Sequence, residues 1–205
     1  MTPYPVHYNV ALPGMFTRLQ LAVRFVAFVA LGAIGLSFGT VFMFAYLALP
    51  VIAASRLARR ESSVYLAEDG PRIVAALRWF AAVAAWAGLV TEHLPASSPA
   101  ETVKLEVEAH AQPTSRSALW RVVTGIPSAI ALMVLCWLGM FVWLWAALSI
   151  LFSQRIGPHA FDYLVGLQRW STRLLVYQAS LVDEYPPFSF AEGPTLPMAH
   201  TGGGG

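Results

Sequence analysis

Charged residues are scarce in this chain, and the few present avoid two long segments. Asp, Glu, Lys and Arg make up 12% of the 205 residues, against about 25% in an ordinary soluble domain. The segments Phe25 to Ala54 and Val122 to Gln154 contain none of them. Each exceeds the roughly 20 apolar residues that cross a hydrocarbon core. The composition therefore disfavours a soluble domain and predicts an integral membrane protein.

The apolar runs also lack the groups that chemistry inside a membrane needs. The single cysteine, Cys136, cannot form an internal disulfide. Neither run contains a histidine, which removes the usual axial ligands of a buried haem. The missing ionisable side chains argue against an ion-coupled transporter or proton pump. We therefore expect no metal, no cofactor and no catalytic residue. A bound lipid is compatible with the runs, and a pigment or quinone site among their aromatic residues is a less favoured alternative.

Basic residues do not form a nucleic-acid site. The net charge is +2, and every basic residue except Lys104 is an arginine. These arginines flank the apolar runs instead of forming a stripe, so we expect no nucleic-acid partner.

What the chain does contain is a series of features that occurs twice in the same order. A short alternating segment that is typical of a β-strand comes first, then an arginine that opens an apolar run, then an Arg-Trp pair, and finally an acidic ending followed by proline. The series predicts two tandem repeats, residues 1–95 and 101–190, joined by a linker at 96–100 and followed by a flexible tail at 191–205. The matching segments are Val6–Val10 and Val103–Val107, Arg24 and Arg121, Arg78-Trp79 and Arg169-Trp170, and Leu89-Val90-Thr91-Glu92 and Leu181-Val182-Asp183-Glu184.

Each apolar run is longer than one membrane crossing requires. A helix from Leu21 to Ala54 would be about 50 Å long, against a hydrocarbon core of about 30 Å. We predict that each run folds as a helical hairpin, which gives about four membrane helices in total. The breaks are expected at Gly35–Gly39 and at Cys136–Gly139. A single long tilted span followed by a second span remains an open alternative.

The segment after the second run is predicted to be an amphipathic helix at the membrane interface. Between Phe161 and Val182, apolar residues recur on one helical face and Arg169 and Arg173 lie on the other. We expect Trp79 and Trp170 to lie at headgroup level together with these arginines. Arg56, Arg59 and Arg60 are expected either to bind anionic headgroups or only to set the topology.

Small residues are the candidates for helix packing. Gly35 and Gly39 form a small-xxx-small pair, a spacing that lets helices approach closely. The first-copy helix carries a second group of small residues, which we expect to pack against other membrane helices. These residues are Ala81, Ala84, Ala85 and Gly88.

The second half resembles a known bacterial membrane family. The resemblance rests on Gly157-Pro158, on the stretch from Phe161 to Arg173, and on the ending Asp183-Glu184-Tyr185-Pro186-Pro187-Phe188. These residues are similar to the family catalogued as domain of unknown function 4389, and the whole chain resembles two tandem copies. The family implies a membrane-embedded fold and no known reaction. Only the second copy keeps the full ending.

These observations favour a non-catalytic scaffold or accessory subunit that binds another integral membrane protein. The candidate docking element is the ending formed by Tyr185, Pro186, Pro187 and Phe188. A lipid-binding or membrane-shaping protein is the alternative, and an intramembrane carrier or enzyme is the third. We expect a multi-pass protein of the bacterial inner membrane with both termini in the cytoplasm.

Overall fold

The computed structural model describes residues 4–35, 37–93 and 103–191. The predicted linker at 96–100 and nearly all of the predicted tail lie outside the described residues. The described chain is mainly helical and contains one two-stranded sheet, as predicted. The helix that begins at Gly70 is preceded by a turn of α-helix at Ser62–Val64 and a π-helical turn at Tyr65–Asp69. The main elements are β1 (Val6–Asn9), α1 (Arg18–Ala33), α2 (Phe38–Leu57), α3 (Gly70–Ala87), β2 (Lys104–Val107), α4 (Ser115–Thr124), α5 (Ile126–Ser153) and α6 (Pro158–Gln178).

The two strands pair with each other across the halves of the chain. They are antiparallel, and Tyr8 of β1 lies opposite Leu105 of β2. These two residues are at matching positions of the predicted repeats. The two predicted strands are confirmed, and the structure adds that they pair with each other.

The first apolar run breaks where its glycines predict. α1 ends at Ala33, Gly35 has φ +76°, and α2 begins at Phe38 after the N-cap Ser37. Glycine adopts that left-handed backbone without a Cβ penalty. The two arms nevertheless make little contact with each other: α1 packs against α5, and α2 packs against α4 and α6. The predicted break is confirmed, but the arms do not form a mutually packed hairpin.

The second apolar run has no break at Cys136–Gly139, so that prediction is wrong. α5 continues unbroken through these positions. It is 28 residues long, about 42 Å at 1.5 Å per residue. A single glycine costs a helix only about 1 kcal/mol. Gly139 instead allows close approach, since a Cβ there would lie 3.2 Å from Leu167 Cδ2. The helical path is interrupted at Gly125, just before Pro127, whose ring removes one helix hydrogen bond.

Two of the helices are long and apolar enough to cross a membrane. These are α2 and α5, and only 22% and 17% of their apolar windows are buried within the chain. A core helix of a soluble protein would be mostly buried, so the exposure of these helices favours contact with lipid. Four such helices are not found among the described residues.

The last helix lies inside the protein and not at an interface, which corrects a second prediction. Arg169, Trp170 and Arg173 of α6 are all at most 5% exposed. The predicted polar face fails because these side chains bond to other segments of the chain: Arg169 Nε donates to the Tyr8 carbonyl at 3.0 Å, and Arg173 Nη2 donates to the Ala191 carbonyl at 3.0 Å. The apolar positions of α6 pack in the two buried clusters that form the core.

A buried arginine of each half holds the end of an inner helix. Arg24 Nη2 donates to the Thr91 carbonyl at 2.5 Å, just beyond α3. Arg121 donates to the carbonyls of Tyr177 and Val182 at the end of α6, the first at 2.9 Å, and its Nη2 lies 2.6 Å from Asp183 Oδ1. Arginine is suited to helix C-termini because the last carbonyls lack intrahelical partners. These contacts anchor α3 to α1 and α6 to α4.

A second pair of arginines joins the two halves. Arg78 of α3 donates to the Leu105 carbonyl in β2 at 3.0 Å, whereas Arg169 of α6 donates to the Tyr8 carbonyl in β1. Each arginine therefore contacts the strand of the other half. Because Tyr8 and Leu105 are paired in the sheet, the two arginines bond to the same position of the sheet, one on each strand.

We predict that Arg121→Met destabilises the protein more than Arg24→Met. Arg121→Met removes hydrogen bonds to three acceptors and should lower the free energy of unfolding by about 3 kcal/mol. Arg24→Met removes the bond to one acceptor and should lower it by about 2 kcal/mol. The measurement is thermal unfolding of the protein in mild detergent.

Arg59→Met is the control for this comparison. Its side chain is exposed, and no ion pair joins it to another described residue. Equal unfolding temperatures for all three variants would contradict a structural role for Arg24 and Arg121.

Candidate functional site

The break between α1 and α2 is an exposed surface without neighbouring side chains. A Cβ added at Gly32 or Gly35 would have no atom of another residue within 4 Å, and one at Gly39 would meet only Ser37 Oγ at 3.8 Å. Ile34, in the same stretch, is 69% exposed. Gly35 and Gly39 therefore do not pack closely within this chain. Their packing against another chain stays a prediction.

The start of α2 at this break brings first-turn N–H groups into an apolar run. Ser37 caps α2 by accepting a hydrogen bond from the Thr40 N–H at 3.1 Å. The N–H groups of Phe38 and Gly39 belong to the first turn, where intrahelical acceptors are missing. Lipid cannot supply acceptors, and non-helical backbone at membrane depth is tolerated where protein or water covers it.

A second feature is an apolar pocket of about 520 Å³ between α1, α2, α3, α5 and α6. One long wall is the small-residue face of α3, which includes Ala81, Ala84 and Gly88. The opposite wall is α5 from Cys136 to Trp143. Both walls extend over eight residues, about 10 Å along a helix. The pocket is therefore an elongated slot.

Three polar side chains of the pocket wall are bonded within the protein, and Thr172 and Cys136 also line the pocket. Gln168 accepts from the Tyr8 hydroxyl at 2.8 Å and donates to the Ala84 carbonyl at 3.1 Å. Ser171 Oγ donates to the Leu167 carbonyl at 2.8 Å, and Trp143 Nε1 donates to the Ala87 carbonyl at 3.0 Å. The slot consequently presents mainly hydrocarbon.

The mouth of the slot belongs to the exposed apolar surface. Phe25 is 64% exposed, and Met140 is 62% exposed. Both residues line the slot. The slot is thus continuous with the surface that α1 and α5 present to their surroundings.

Small side chains on α3 make room for the slot. The Arg78-Trp79 and Arg169-Trp170 pairs align α3 with α6, and in that alignment Ala84 corresponds to Leu175 and Ala87 to Gln178. Gln178 is fully buried, and its side-chain amide donates to the Arg121 carbonyl at 3.0 Å. The predicted small-residue group is thus brought together: Ala81, Ala84 and Ala85 are buried, and a Cβ at Gly88 would lie 2.2 Å from Gln168 Nε2.

Two of the three arginines after α2 have acidic partners in the same chain. Arg60 Nη1 lies 2.5 Å from Glu68 Oε2 and 3.8 Å from Asp69 Oδ2, and Arg56 Nη1 lies 3.7 Å from Asp69 Oδ1. Asp69 is buried at the start of α3. These pairs reduce the charge that Arg56 and Arg60 offer to lipid headgroups. Arg59 has no such partner among the residues that the structure describes.

The predicted aromatic anchors differ in their surroundings. Trp79 is 55% exposed and is available to an interface, whereas Trp170 is covered by its own chain. The ring of Trp170 lies 5.2 Å from that of Phe188 and 6.2 Å from that of Phe190. A headgroup position for Trp170 is therefore excluded by its burial.

The predicted docking element folds back onto α6 and α5. Tyr185 Oη lies 2.7 Å from Ser128 Oγ, and its ring is 5.6 Å from the ring of Tyr177. Pro186 is buried and Pro187 half-buried, whereas Phe188 remains 59% exposed. The ending thus has a structural role inside the chain, and its contact with a partner stays a prediction.

Sequence reasoning missed what the buried arginines do. Arg24 and Arg121 were recognised as a matched pair that opens the apolar runs, but not as side chains that bond to helix ends. An acidic residue follows each inner helix, Glu92 after α3 and Asp183 after α6. These acidic residues are the sequence signal for polar contacts at the helix ends. Thr17 N–H donates to Glu92 Oε1 at 3.0 Å, and the backbone N–H of Gln112 donates to Asp183 Oδ2 at 2.9 Å.

One ion pair outside the apolar helices is sensitive to pH. His110 Nε2 lies 2.8 Å from Glu184 Oε1, and both side chains are about half exposed. The hydrogen bond to Glu184 raises the pKa of His110 above its usual 6.5. The pair connects the segment after β2 to the ending after α6.

We predict that His110→Gln lowers the unfolding temperature slightly at about pH 6 and has no effect at about pH 9. Because the pKa of His110 is raised on folding, its stabilisation is complete below about 6.5 and disappears as the pH rises through the folded-state value. Exposure limits the effect to at most about 1 kcal/mol. Thermal scans at both pH values measure it, and an effect that grows with pH would contradict the assignment.

Among the described residues, no three His, Cys, Asp or Glu side chains lie together in a way that could hold a metal ion. The expectation that the chain is not an enzyme stays a prediction.

Comparison with known proteins identifies one family. The family model described as Domain of unknown function (DUF4389) matches residues 115–189, the segment that contains α4, α5, α6 and the ending. The match covers one copy, so the predicted tandem pair of family copies is not found by this comparison. Neither the curated proteins nor the solved structures contain a match to the chain. The resemblance of the second half to this family is confirmed by the match over residues 115–189.

Proposed function

We propose that this chain is a non-catalytic membrane scaffold or accessory subunit that binds another integral membrane protein over the break between α1 and α2. The observation that carries the proposal is the exposed break itself. It combines the end of α1 at Ala33 and the left-handed Gly35 with glycines that no side chain of another helix contacts among the described residues.

The helix break lies within an uncharged run, where lipid surrounds the backbone unless protein or water covers it. Residues 25–54 carry no charge, and the break lies near the middle of this run. Unbonded N–H and C=O groups there require protein or water, because lipid tails offer neither donors nor acceptors. A helix of a partner protein that contacts Gly35 and Gly39 excludes lipid from the break. Close approach over glycines is the usual geometry of helix association in membranes.

The proposal extends to the origin of the first half. We propose that it is a diverged second copy of the DUF4389 fold. The matched roles support this: Thr17 and Thr114 cap α1 and α4 at equivalent positions. The arginines of the two halves also match in their ring contacts, since Arg24 lies 5.2 Å from the Trp86 ring centroid and Arg121 lies 4.6 Å from that of Tyr177.

The proposed location is the bacterial inner membrane, with several crossings and both termini in the cytoplasm. Arginines at the ends of the apolar helices support this orientation, because positive charge favours the cytoplasmic side. They are Arg18 and Arg56, which lie at the outer ends of the broken run formed by α1 and α2. Arg116 and Arg155 lie before and after the uninterrupted α5 and do not distinguish its two ends. A membrane-shaping role is less favoured, because Arg56 and Arg60 are paired with Asp69 and Glu68.

The test of the proposal is native mass spectrometry of the protein extracted from its own membrane in mild detergent. We expect a complex with a second membrane protein at fixed stoichiometry. Gly39→Leu should remove that partner, because a leucine side chain projects into the contact and keeps α2 helical.

Gly14→Leu is the matched control. Gly14 also has no atom within 4 Å of an added Cβ, but it lies outside the apolar run. This variant should keep the partner. A wild-type protein that carries no partner, or a partner that Gly39→Leu retains, would contradict the proposal.

A further inference from the structure

We propose that the slot between α3 and α5 binds one acyl chain of a membrane phospholipid. This site is separate from the break surface and does not depend on the partner proposed above. The slot is lined by small residues of α3 and opens to the exposed apolar surface.

The dimensions of the slot suit a linear hydrocarbon chain. Its volume of about 520 Å³ lies in the range of about 300–1,000 Å³ that holds small molecules. Its two long walls are helix faces, of which the α3 wall is built from alanine and glycine. A chain lying along these small residues contacts both helices over its length.

The bonding of three polar wall side chains and the apolar remainder of the wall favour an apolar occupant. The polar side chains of Gln168, Ser171 and Trp143 already bond within the protein. A quinone head would need free donors for its carbonyl oxygens, because a buried polar group without a partner is costly. An acyl chain needs none.

The opening of the slot identifies the source of the chain. Phe25 and Met140 at its mouth are more than half exposed and belong to the apolar surface. An acyl chain enters from the bilayer without crossing water. The position of Ala87 is occupied in the second half by the larger Gln178, which is fully buried, so we expect one bound chain per protein.

The experiment uses the full-length protein in phosphatidylglycerol vesicles whose acyl chains carry a photoreactive diazirine. Cross-links are located by peptide mass spectrometry. We expect labels on α3 between Phe80 and Gly88, an inner helix whose Ala81, Ala82, Ala84 and Ala85 are at most 6% exposed. Ala84→Leu should reduce this labelling by about tenfold, because the added carbons replace buried chain carbons.

Ala30→Leu is the control, since it adds the same atoms on the exposed face of α1. It should leave α3 labelling unchanged. Ala87→Leu is a second filling variant that keeps the test valid if Ala84→Leu fails to fold, as judged by thermal unfolding. Unlabelled α3 in the wild type, undiminished labelling in the folded filling variants, or co-purification of a quinone or carotenoid that prevents labelling would overturn the proposal.

Discussion

The rest of the structure depends on arginines that bond to backbone carbonyls, of which Arg24, Arg121 and Arg169 are buried and Arg78 is half-buried. An arginine is costly to bury, so each must find acceptors that the fold places near it. Arg24 and Arg121 find them at the ends of α3 and α6, and these contacts hold the inner helices against α1 and α4. Arg78 and Arg169 find them in the strand of the opposite half, which joins the halves around the sheet. Hydrogen bonds from these arginines thus hold the inner helices and the sheet in place, and apolar residues occupy much of the exterior.

This arrangement explains why the two apolar helices α2 and α5 remain available to lipid. The core is formed largely by α3, α6 and the sheet, whose side chains are bonded or packed inside the chain. The outer helices supply apolar surface with two interruptions, the helix break beside Gly35 and the slot beside Ala84. The helix break lacks covering side chains from the other described helices, whereas the slot is lined mainly by apolar side chains. We therefore assign them different occupants, a partner protein and an acyl chain.

Local signals predicted the strands and the first helix break, because alternation and paired glycines act over a few residues. The two predicted strands and the break at Gly35 are confirmed. Two predictions failed for tertiary reasons. Gly139 was interpreted as a break, but Leu167 packs over it and the helix continues. Arg169 and Arg173 were placed at a water interface, since helical periodicity cannot show that distant carbonyls at Tyr8 and Ala191 receive them. The slot was not predicted, because it depends on how α3 and α5 meet.

The central claim is that the two halves interlock through the paired strands. Its most direct test is disulfide formation between His7→Cys and Glu106→Cys in a Cys136→Ser background, in native membranes. These positions are directly opposite in the sheet, within the roughly 4.4–6.8 Å between Cα atoms that a disulfide spans. The account predicts rapid cross-linking of this pair and little cross-linking of His7→Cys with Lys104→Cys, which is out of register. Equal yields for both pairs, or none for the first, would contradict it.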